Sequence, residues 1–198
     1  MCLALMTRKM LFRGITLYLL ATTMAILSSL FSASAEAANY LMIGDSRFVG
    51  MQEAVGSFSN VYWLDRIGAG SSFFFENEAY IDSVDRDTII IYNLGVNDLN
   101  SSLCLDALNA LSDKGFRHIW FATVTPVDEA KASASGYTIT NDQIYQFDSE
   151  VVSNLPPTVG LIDTFTFVWN DGIQTDDGLH YYPSTYIDWF NFMMGQAY

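Results

Sequence analysis

Short apolar runs alternate with helix-like stretches along most of this chain. The runs are rich in β-branched or aromatic residues and end at Gly, Asp or Pro, which is typical of strands. They cover residues 40–43, 61–67, 88–94, 118–123 and 160–164. The third run is apolar at nearly every position, as expected for a strand buried on both faces. The pattern therefore predicts five strands of a largely buried parallel sheet.

Apolar residues recur at helical spacing between these strands, at residues 49–55, 103–111 and 142–152. A last amphipathic helix is predicted to begin at Ser184, whose hydroxyl can cap the free amides, with Pro183 ending the preceding segment. Residues 127–140 are predicted to form one long loop, which is either a lid over a site or a tolerated insertion. The alternation of strands and helices predicts an α/β fold with three layers, α/β/α.

The first 37 residues are predicted to be a signal peptide. Three basic residues near the start precede an apolar run over residues 15–31, and Ala-x-Ala cleavage sites then end at Ala35 and Ala37. Residues 38–198 would form one secreted or cell-surface domain. Because the apolar run reaches the short limit for crossing a bilayer, an uncleaved membrane anchor is the alternative.

The charge of the chain narrows the class of partner. The chain has 9 Lys and Arg against 22 Asp and Glu, and residues 1–37 hold three of the basic side chains and one acidic side chain. The remaining domain is therefore strongly acidic, and its field repels nucleic acid and other polyanions. We expect a neutral or cationic substrate, either a small molecule or a glycan ester, and no nucleic-acid partner.

The sequence contains no group of residues spaced to bind a metal ion or a nucleotide cofactor. The two histidines, His118 and His180, are far apart without an H-E-x-x-H pattern, and no glycine fingerprint for nucleotide binding occurs. Cys104 lies among apolar residues at helical spacing, so we predict a buried core position without chemistry. We therefore expect no metal and no cofactor.

Polar turns follow the first three predicted strands. They are Gly44-Asp45-Ser46-Arg47, Gly68-Ala69-Gly70-Ser71 and Gly95-Val96-Asn97-Asp98. Ligands of open α/β sheets bind outside the carboxyl ends of the strands, where helix N-termini also point their amides. Each turn alone is an ordinary turn or helix cap. Together they are expected to meet at one edge of the sheet.

A serine nucleophile needs a base, a group that orients the base, and donors for the oxyanion. The segment Asp177-Gly178-Leu179-His180 supplies an acid and a base, because a spacing of three lets a looped backbone bring the carboxylate to one imidazole nitrogen. His118 opens a strand without a following acidic neighbour and is assigned a structural or surface role. Ser46, His180 and Asp177 are therefore the candidate triad.

These blocks together resemble the SGNH (GDSL-like) hydrolase family. Residues 44–46 are similar to its first block, Gly70 to the glycine of the second, residues 95–98 to the G-x-N-D block, and residues 177–180 to the D-x-x-H block. The resemblance spans nearly the whole domain and implies a flavodoxin-like, five-stranded parallel sheet. Gly68 competes with Gly70 for the second block, and Gly70 is preferred because small polar residues follow it.

The resemblance also implies a role for each residue. Ser46 would attack an ester carbonyl, His180 would act as general base and then as general acid, and Asp177 would orient the imidazole. The backbone amides of Ser46 and Gly70 and the side-chain amide of Asn97 are implied as the oxyanion hole. The implied activity is hydrolysis of carboxylic esters. The small, acidic domain favours short acyl groups such as acetyl.

Several other protein classes compete with this hypothesis. An ordinary α/β-hydrolase would carry a G-x-S-x-G elbow, which the sequence lacks. An O-acyltransferase acting on a glycan hydroxyl would use the same triad. A noncatalytic carbohydrate-binding module could stack sugars on Trp169, Tyr181 and Tyr182, but it gives no reason to retain the site residues. Arg47 stands where many family members carry Leu or Thr, and we expect it to pair with a surface carboxylate rather than with an acidic substrate group.

Overall fold

The computed structural model describes residues 38–197. Five parallel strands form one sheet: β1 Tyr40–Gly44, β2 Val61–Asp65, β3 Ile89–Asn93, β4 His118–Ala122 and β5 Val159–Ile162. Their order is β2-β1-β3-β4-β5, which is the flavodoxin-like arrangement. The predicted fold class is therefore confirmed. All five predicted strands are present, although β2 ends at Asp65 rather than at Ile67.

Helices connect the strands. They are α1 Ser46–Val55, α2 Phe73–Glu76, α3 Glu78–Asp82, α4 Ser101–Asp113, α5 Glu129–Ala134, α6 Asn141–Ser153, α7 Thr164–Asp171 and α8 Pro183–Gln196. The four predicted helices correspond to α1, α4, α6 and α8. The shorter helices α2, α3, α5 and α7 were not predicted, because a few apolar residues do not establish a helical period.

Apolar layers cover both faces of the sheet. Alternate residues of a strand point to opposite faces, so Leu41 and Ile90 pack with residues of α4 and α6 on one side. On the other side, Met42 and Ile91 pack with residues of α1 and α8. The helix that begins at Ser46 and the helix that follows His180 therefore lie on the same face.

Two local predictions were wrong. Helix α8 begins at Pro183 rather than at Ser184, and no side chain caps it; the fixed φ of proline suits the first position of a helix. Residues 127–140 are not one loop, because they contain α5, which Asp128 caps by accepting a hydrogen bond from the Lys131 N–H at 3.2 Å. An acid followed by an Ala-rich stretch was an available signal for that helix.

The predicted signal peptide, residues 1–37, lies outside the described residues, so the signal peptide and the extracytoplasmic location stay predictions. Within residues 38–197, no helix combines the length and the apolar character needed to cross a membrane.

Candidate active site

Ser46 is the first residue of α1 and directly follows the end of β1 through Asp45. The chain leaves the neighbouring strands β1 and β3 toward opposite faces of the sheet, which opens a crevice at their carboxyl ends. Phe48 of α1 packs edge-on against Trp189 of α8, with 5.6 Å between ring centroids, and both are fully buried. Ser46 is thus held at the end of an anchored helix.

The structure brings Ser46, His180 and Asp177 into one hydrogen-bonded chain. The Oγ of Ser46 lies 2.8 Å from Nε2 of His180, and Nδ1 of His180 lies 2.6 Å from Oδ2 of Asp177. A proton on Nδ1 would leave Nε2 free to accept the hydroxyl proton. The side chains of His180 and Asp177 are 36% and 33% exposed, so a substrate can reach them. The arrangement can activate a hydroxyl by general-base catalysis.

The carboxylate of Asp177 is held by its own turn. Its Oδ1 accepts the backbone N–H groups of Leu179 and His180 at 2.9 and 2.8 Å. The hydroxyl of Thr175 lies 3.2 Å from the same oxygen but donates its hydrogen to the nearer His180 carbonyl, at 2.5 Å. Burial by itself raises the pKa of Asp177. The hydrogen bonds from the side chain and backbone of His180 and from Leu179 together outweigh burial and hold this pKa well below its usual range. Asp177 therefore stays ionised and can stabilise a protonated imidazole.

Helix α5 and the residue before it support this turn. Gly178 has a φ of +88°, and an added Cβ would lie 2.0 Å from the backbone nitrogen of Ala132, so only glycine fits. The N–H of Asp128 donates to the Gly178 carbonyl at 3.0 Å, and Nζ of Lys131 donates to the Thr175 carbonyl at 2.6 Å. Residues 127–140, which were predicted to be a lid or a tolerated insertion, are thus packed against the turn that carries Asp177 and His180.

Tyr137, from the same segment, contacts both Asp177 and His180 of the candidate triad. Its hydroxyl donates to Oδ2 of Asp177 at 3.4 Å, and its ring meets His180 edge-on with centroids 6.2 Å apart. Burial and then the nearby Asp177 carboxylate raise the pKa of Tyr137, so the hydroxyl keeps its proton and remains a donor. The role of Tyr137 was not predictable, because no local pattern links it to a carboxylate 40 positions away.

Each predicted oxyanion donor has an N–H hydrogen without a partner among the described residues. Within residues 38–197, neither the backbone N–H of Ser46 nor that of Gly70 donates a hydrogen bond. Nδ2 of Asn97 donates to the Ala69 carbonyl at 2.9 Å, which leaves its second hydrogen for a ligand. This bond also joins the turn after β2 to the turn after β3.

Asp98 strengthens the link between those two turns. Its carboxylate accepts the N–H and the hydroxyl of Ser71 at 2.7 and 3.2 Å. An added Cβ at Gly70 would meet Oδ2 of Asp98 at 2.7 Å, whereas one at Gly68 would meet nothing within 4 Å. The structure therefore places Gly70 rather than Gly68 against the G-x-N-D segment. Asp98 belonged to the predicted motif, but its role in holding the second turn was missed.

No family model and no curated protein matches this chain. One similar solved structure is described as a platelet activating factor from Streptococcus pneumonia. It is 20% identical to this chain with a TM-score of 0.66, over 96% of this chain and 99% of that one. A GDSL-like lipase from Bacteroides thetaiotaomicron is 14% identical with a TM-score of 0.61, over 85% and 93%. An acetyl xylan esterase is 12% identical with a TM-score of 0.59, over 80% and 98%.

This chain has the SGNH/GDSL hydrolase fold. The four predicted sequence blocks lie at the ends of β1, β2 and β3 and after α7. Because the strands are parallel, with Gly44 level with Asp65 of β2 and Asn93 of β3, the first three blocks leave the sheet at one edge. At these identities the comparison shows the fold, and the activity has to be argued from the site.

A buried ion pair is formed by the two residues that flank Ser46. Asp45 and Arg47 are fully buried, with Nε of Arg47 3.7 Å from Oδ1 of Asp45. The guanidinium also donates to the carbonyl and the hydroxyl of Thr125 at 3.0 and 2.8 Å. Burial raises the pKa of Asp45 more than the neighbouring Arg47 lowers it. The expectation of a surface partner for Arg47 was wrong, because this side chain faces the interior and meets Asp45 and Thr125.

The aromatic residues considered for sugar stacking do not form a platform beside the triad. Trp169 is 54% exposed and stacks on Phe165, outside the cavity that Ser46 lines. Tyr181 is buried, with its hydroxyl bonded to the Pro126 carbonyl. Tyr182 is partly exposed. The structure therefore gives no support to a stacking role for these three residues as a group.

Other predicted positions lie away from the triad. His118 is exposed at the start of β4, at the opposite end of the sheet from Ser46. Cys104 is buried in the core, as predicted, and burial raises the pKa of its thiol well above the usual range. Within residues 38–197, no group of three or more His, Cys, Asp or Glu side chains is placed to hold a metal ion.

Proposed function

We propose that this chain is an extracytoplasmic serine esterase that hydrolyses carboxylic esters, with a preference for short acyl groups such as acetyl. The observation that carries the proposal is the hydrogen-bonded chain from Ser46 through His180 to Asp177, at 2.8 and 2.6 Å. The likeness to a GDSL-like lipase and to an acetyl xylan esterase supports an ester as the bond that is cleaved. The location outside the cytoplasm rests on the N-terminal sequence.

In the first step, Oγ of Ser46 forms a bond to the ester carbonyl carbon while its proton moves to Nε2 of His180. The carbonyl oxygen becomes an oxyanion. The free N–H groups of Ser46, Gly70 and Asn97 would stabilise it, and each such donor typically contributes about 2.7–4 kcal/mol. The N-terminus of α1 adds a favourable potential at the same point, because its unpaired amides carry partial positive charge.

When this intermediate collapses, the imidazolium of His180 gives its proton to the leaving alcohol. The C–O bond of the ester breaks, and the acyl group stays on Ser46. Water, deprotonated by His180, then attacks the carbonyl carbon of the acyl-enzyme. The bond between Oγ of Ser46 and the acyl group breaks, His180 returns the proton to Oγ, and the carboxylic acid is released. A glycan hydroxyl in place of water would give O-acyl transfer, and product analysis with and without a glycan acceptor separates the two outcomes.

Substitution of the nucleophile tests the proposal. Ser46→Ala is expected to lower turnover of p-nitrophenyl acetate by about 10⁴- to 10⁶-fold, because the acyl-enzyme cannot form. Ser149→Ala makes the same chemical change on an exposed position of α6 and should leave turnover unchanged. Equal turnover in Ser46→Ala and wild type would refute the assignment. A wild-type protein that hydrolyses no ester would favour the noncatalytic carbohydrate-binding module.

A further inference from the structure

Glu53 lies seven residues after Ser46 on the same face of α1. Ser46, Gly50 and Glu53 are spaced at i, i+4 and i+7, and all three line a cavity of about 460 Å³, which we call the α1 groove. A helix rises about 1.5 Å per residue, so the backbone of Glu53 lies roughly 10 Å from that of Ser46. Helical side chains lean toward the N-terminus, which brings the Glu53 carboxylate nearer to the nucleophile.

The sides of the α1 groove are largely apolar. Val49 and Ala54 line it from α1, Ile67 from the turn after β2, and Pro183 and Tyr186 from α8. Ile67 is 75% exposed, so its side chain offers an apolar surface to whatever enters. The volume is within the usual range for small-molecule sites and larger than an acetyl group requires. The groove therefore suits an apolar chain several atoms long.

The carboxylate of Glu53 has no cation beside it. Within residues 38–197 it takes part in no ion pair, and no Lys or Arg lines the α1 groove. Some exposed carboxylates elsewhere are paired, such as Glu76 with Arg66 and Asp87 with Arg117, each at 2.7 Å. Many others in the described part of this acidic domain are unpaired, so Glu53 is distinguished by its place in the lining of the α1 groove. A largely apolar groove with one unpaired carboxylate in its lining favours a ligand with an apolar body and a positive end.

The position of His180 indicates which half of an ester enters the groove. In the proposed mechanism His180 gives its proton to the leaving alcohol, so that alcohol has to lie against the imidazole. His180 lines the α1 groove together with Ser46, whereas the other two oxyanion candidates, Gly70 and Asn97, do not. The groove is therefore on the leaving-group side of Ser46, and the acyl group is expected on the side of the oxyanion donors.

We propose that the α1 groove binds the alcohol half of the ester and that Glu53 selects alcohols that carry a cationic amine. From the helix rise, the amine would lie roughly seven bonds from the ester oxygen. This inference rests on the proposed esterase function and narrows its substrate class to acyl esters of amino alcohols. Glu53 is then a specificity-determining residue that contacts the substrate ammonium.

A matched pair of esters tests the selection. The probes are 6-aminohexyl acetate and heptyl acetate, which have the same length and differ by an ammonium in place of a methyl group. Release of acetate from each gives two values of kcat/KM and their ratio. Glu53→Gln should lower the cationic-to-neutral ratio about three- to fivefold, mainly through KM, as expected for an exposed ion pair. The difference should shrink in about 0.5 M salt, where the Debye length is short.

Glu150→Gln is the matched control, because it removes the same charge from an exposed position of α6 that does not line the groove. Its ratio should equal that of the wild type. The inference is overturned if Glu53→Gln leaves the ratio unchanged, or if Glu150→Gln lowers it equally. It is also overturned if the wild type turns over p-nitrophenyl acetate but neither alkyl acetate.

Failure of this inference is distinguishable from failure of the esterase proposal. Turnover of p-nitrophenyl acetate that persists in Ser46→Ala contradicts the esterase itself. Turnover that depends on Ser46, combined with a ratio that does not respond to Glu53, contradicts only the selection of a cationic alcohol.

Discussion

The two partners of the Ser46–His180 hydrogen bond are held in different ways. Ser46 continues from a strand inside the sheet and lies above the fully buried pair Asp45 and Arg47. His180 lies in a turn with Asp177, where both side chains are about one third exposed and where hydrogen bonds from Thr175 and from α5 maintain the backbone. The position of Ser46 thus depends on buried polar groups, whereas the position of His180 depends on a turn at the surface.

This difference predicts whether a substitution lowers folding stability or turnover. A buried charge that loses its partner destabilises the native state by about 3–5 kcal/mol, so changes beneath Ser46 should lower folding stability. Changes in the partly exposed turn remove little buried surface, so they should lower turnover at nearly unchanged stability. Four substitutions test this division, from the largest expected free-energy effect to the smallest.

His180→Ala has the largest expected effect. Without the base, kcat for p-nitrophenyl acetate should fall by about 10⁵- to 10⁶-fold, as for other residues of a cooperating triad. The melting temperature, measured by circular dichroism, should stay close to that of the wild type because the side chain is partly exposed. A variant that loses its fold would show that the turn is structural, against the division proposed here.

Arg47→Met should act in the opposite way. It keeps an apolar stem of similar length but leaves the carboxylate of Asp45 buried without its cation, so the free energy of unfolding in urea should fall by about 3 kcal/mol or more. Turnover per folded molecule should fall less than about tenfold. Arg117→Met, which breaks an exposed pair with Asp87, is the control and should cost at most about 1 kcal/mol. A stable Arg47→Met protein without turnover would contradict the division.

Asp148, near the same buried pair, should make stability depend on pH. Its Oδ1 accepts the N–H of Val124 at 2.9 Å, whereas its Oδ2 has no partner within residues 38–197. Burial raises the pKa of Asp148 from the usual 3.8 to about 8, and the Val124 N–H and Arg47 offset only part of this. Since a raised pKa keeps a proton on the native state that the unfolded chain has lost, stability falls as the pH rises from about 4 to about 8.

The expected fall is about 2 kcal/mol between pH 5.5 and 7, at about 1.4 kcal/mol for each pH unit. Asp148→Asn is neutral at every pH and should remove this part of the slope of unfolding free energy against pH. Parallel slopes for the variant and the wild type would show that Asp148 is ionised in the native protein.

Tyr137→Phe should have the smallest effect. It removes one long hydrogen bond to Asp177, so kcat should fall about two- to threefold, with KM and the melting temperature unchanged, as expected for roughly 0.5 kcal/mol. Tyr145→Phe removes a hydroxyl from a side chain that is 65% exposed and is the matched control. A loss of stability without a change in kcat would mean that Tyr137 packs against the turn but does not position Asp177.

Much of the fold was predictable because its signals are local. A strand buried on both faces is a continuous apolar run, as in residues 88–94, and the carboxyl ends of parallel strands converge. The contact between Asp177 and His180 was also predictable, because three residues of spacing let one turn join them. Such features need only the pattern along the chain and the geometry of one element.

Other features depend on contacts that no local pattern records. An arginine is expected at the surface, yet Arg47 is buried because Thr125, 78 positions away, supplies two acceptors. Tyr137 reaches Asp177 only because α5 packs under the turn at Gly178. Pro183 could have been assigned to the first turn of α8 from its fixed φ alone. Long-range contacts, rather than weak propensities, account for most of what the sequence did not reveal.

Covalent capture of the nucleophile tests the central claim most directly. Phenylmethylsulfonyl fluoride reacts with an activated serine by forming an S–O bond and expelling fluoride, while the hydroxyl proton passes to the base. Intact-mass and peptide analysis should find a single adduct on Ser46, absent from Ser46→Ala and formed far more slowly in His180→Ala. An adduct on another residue, or labelling of Ser46 at the same rate without His180, would contradict the account.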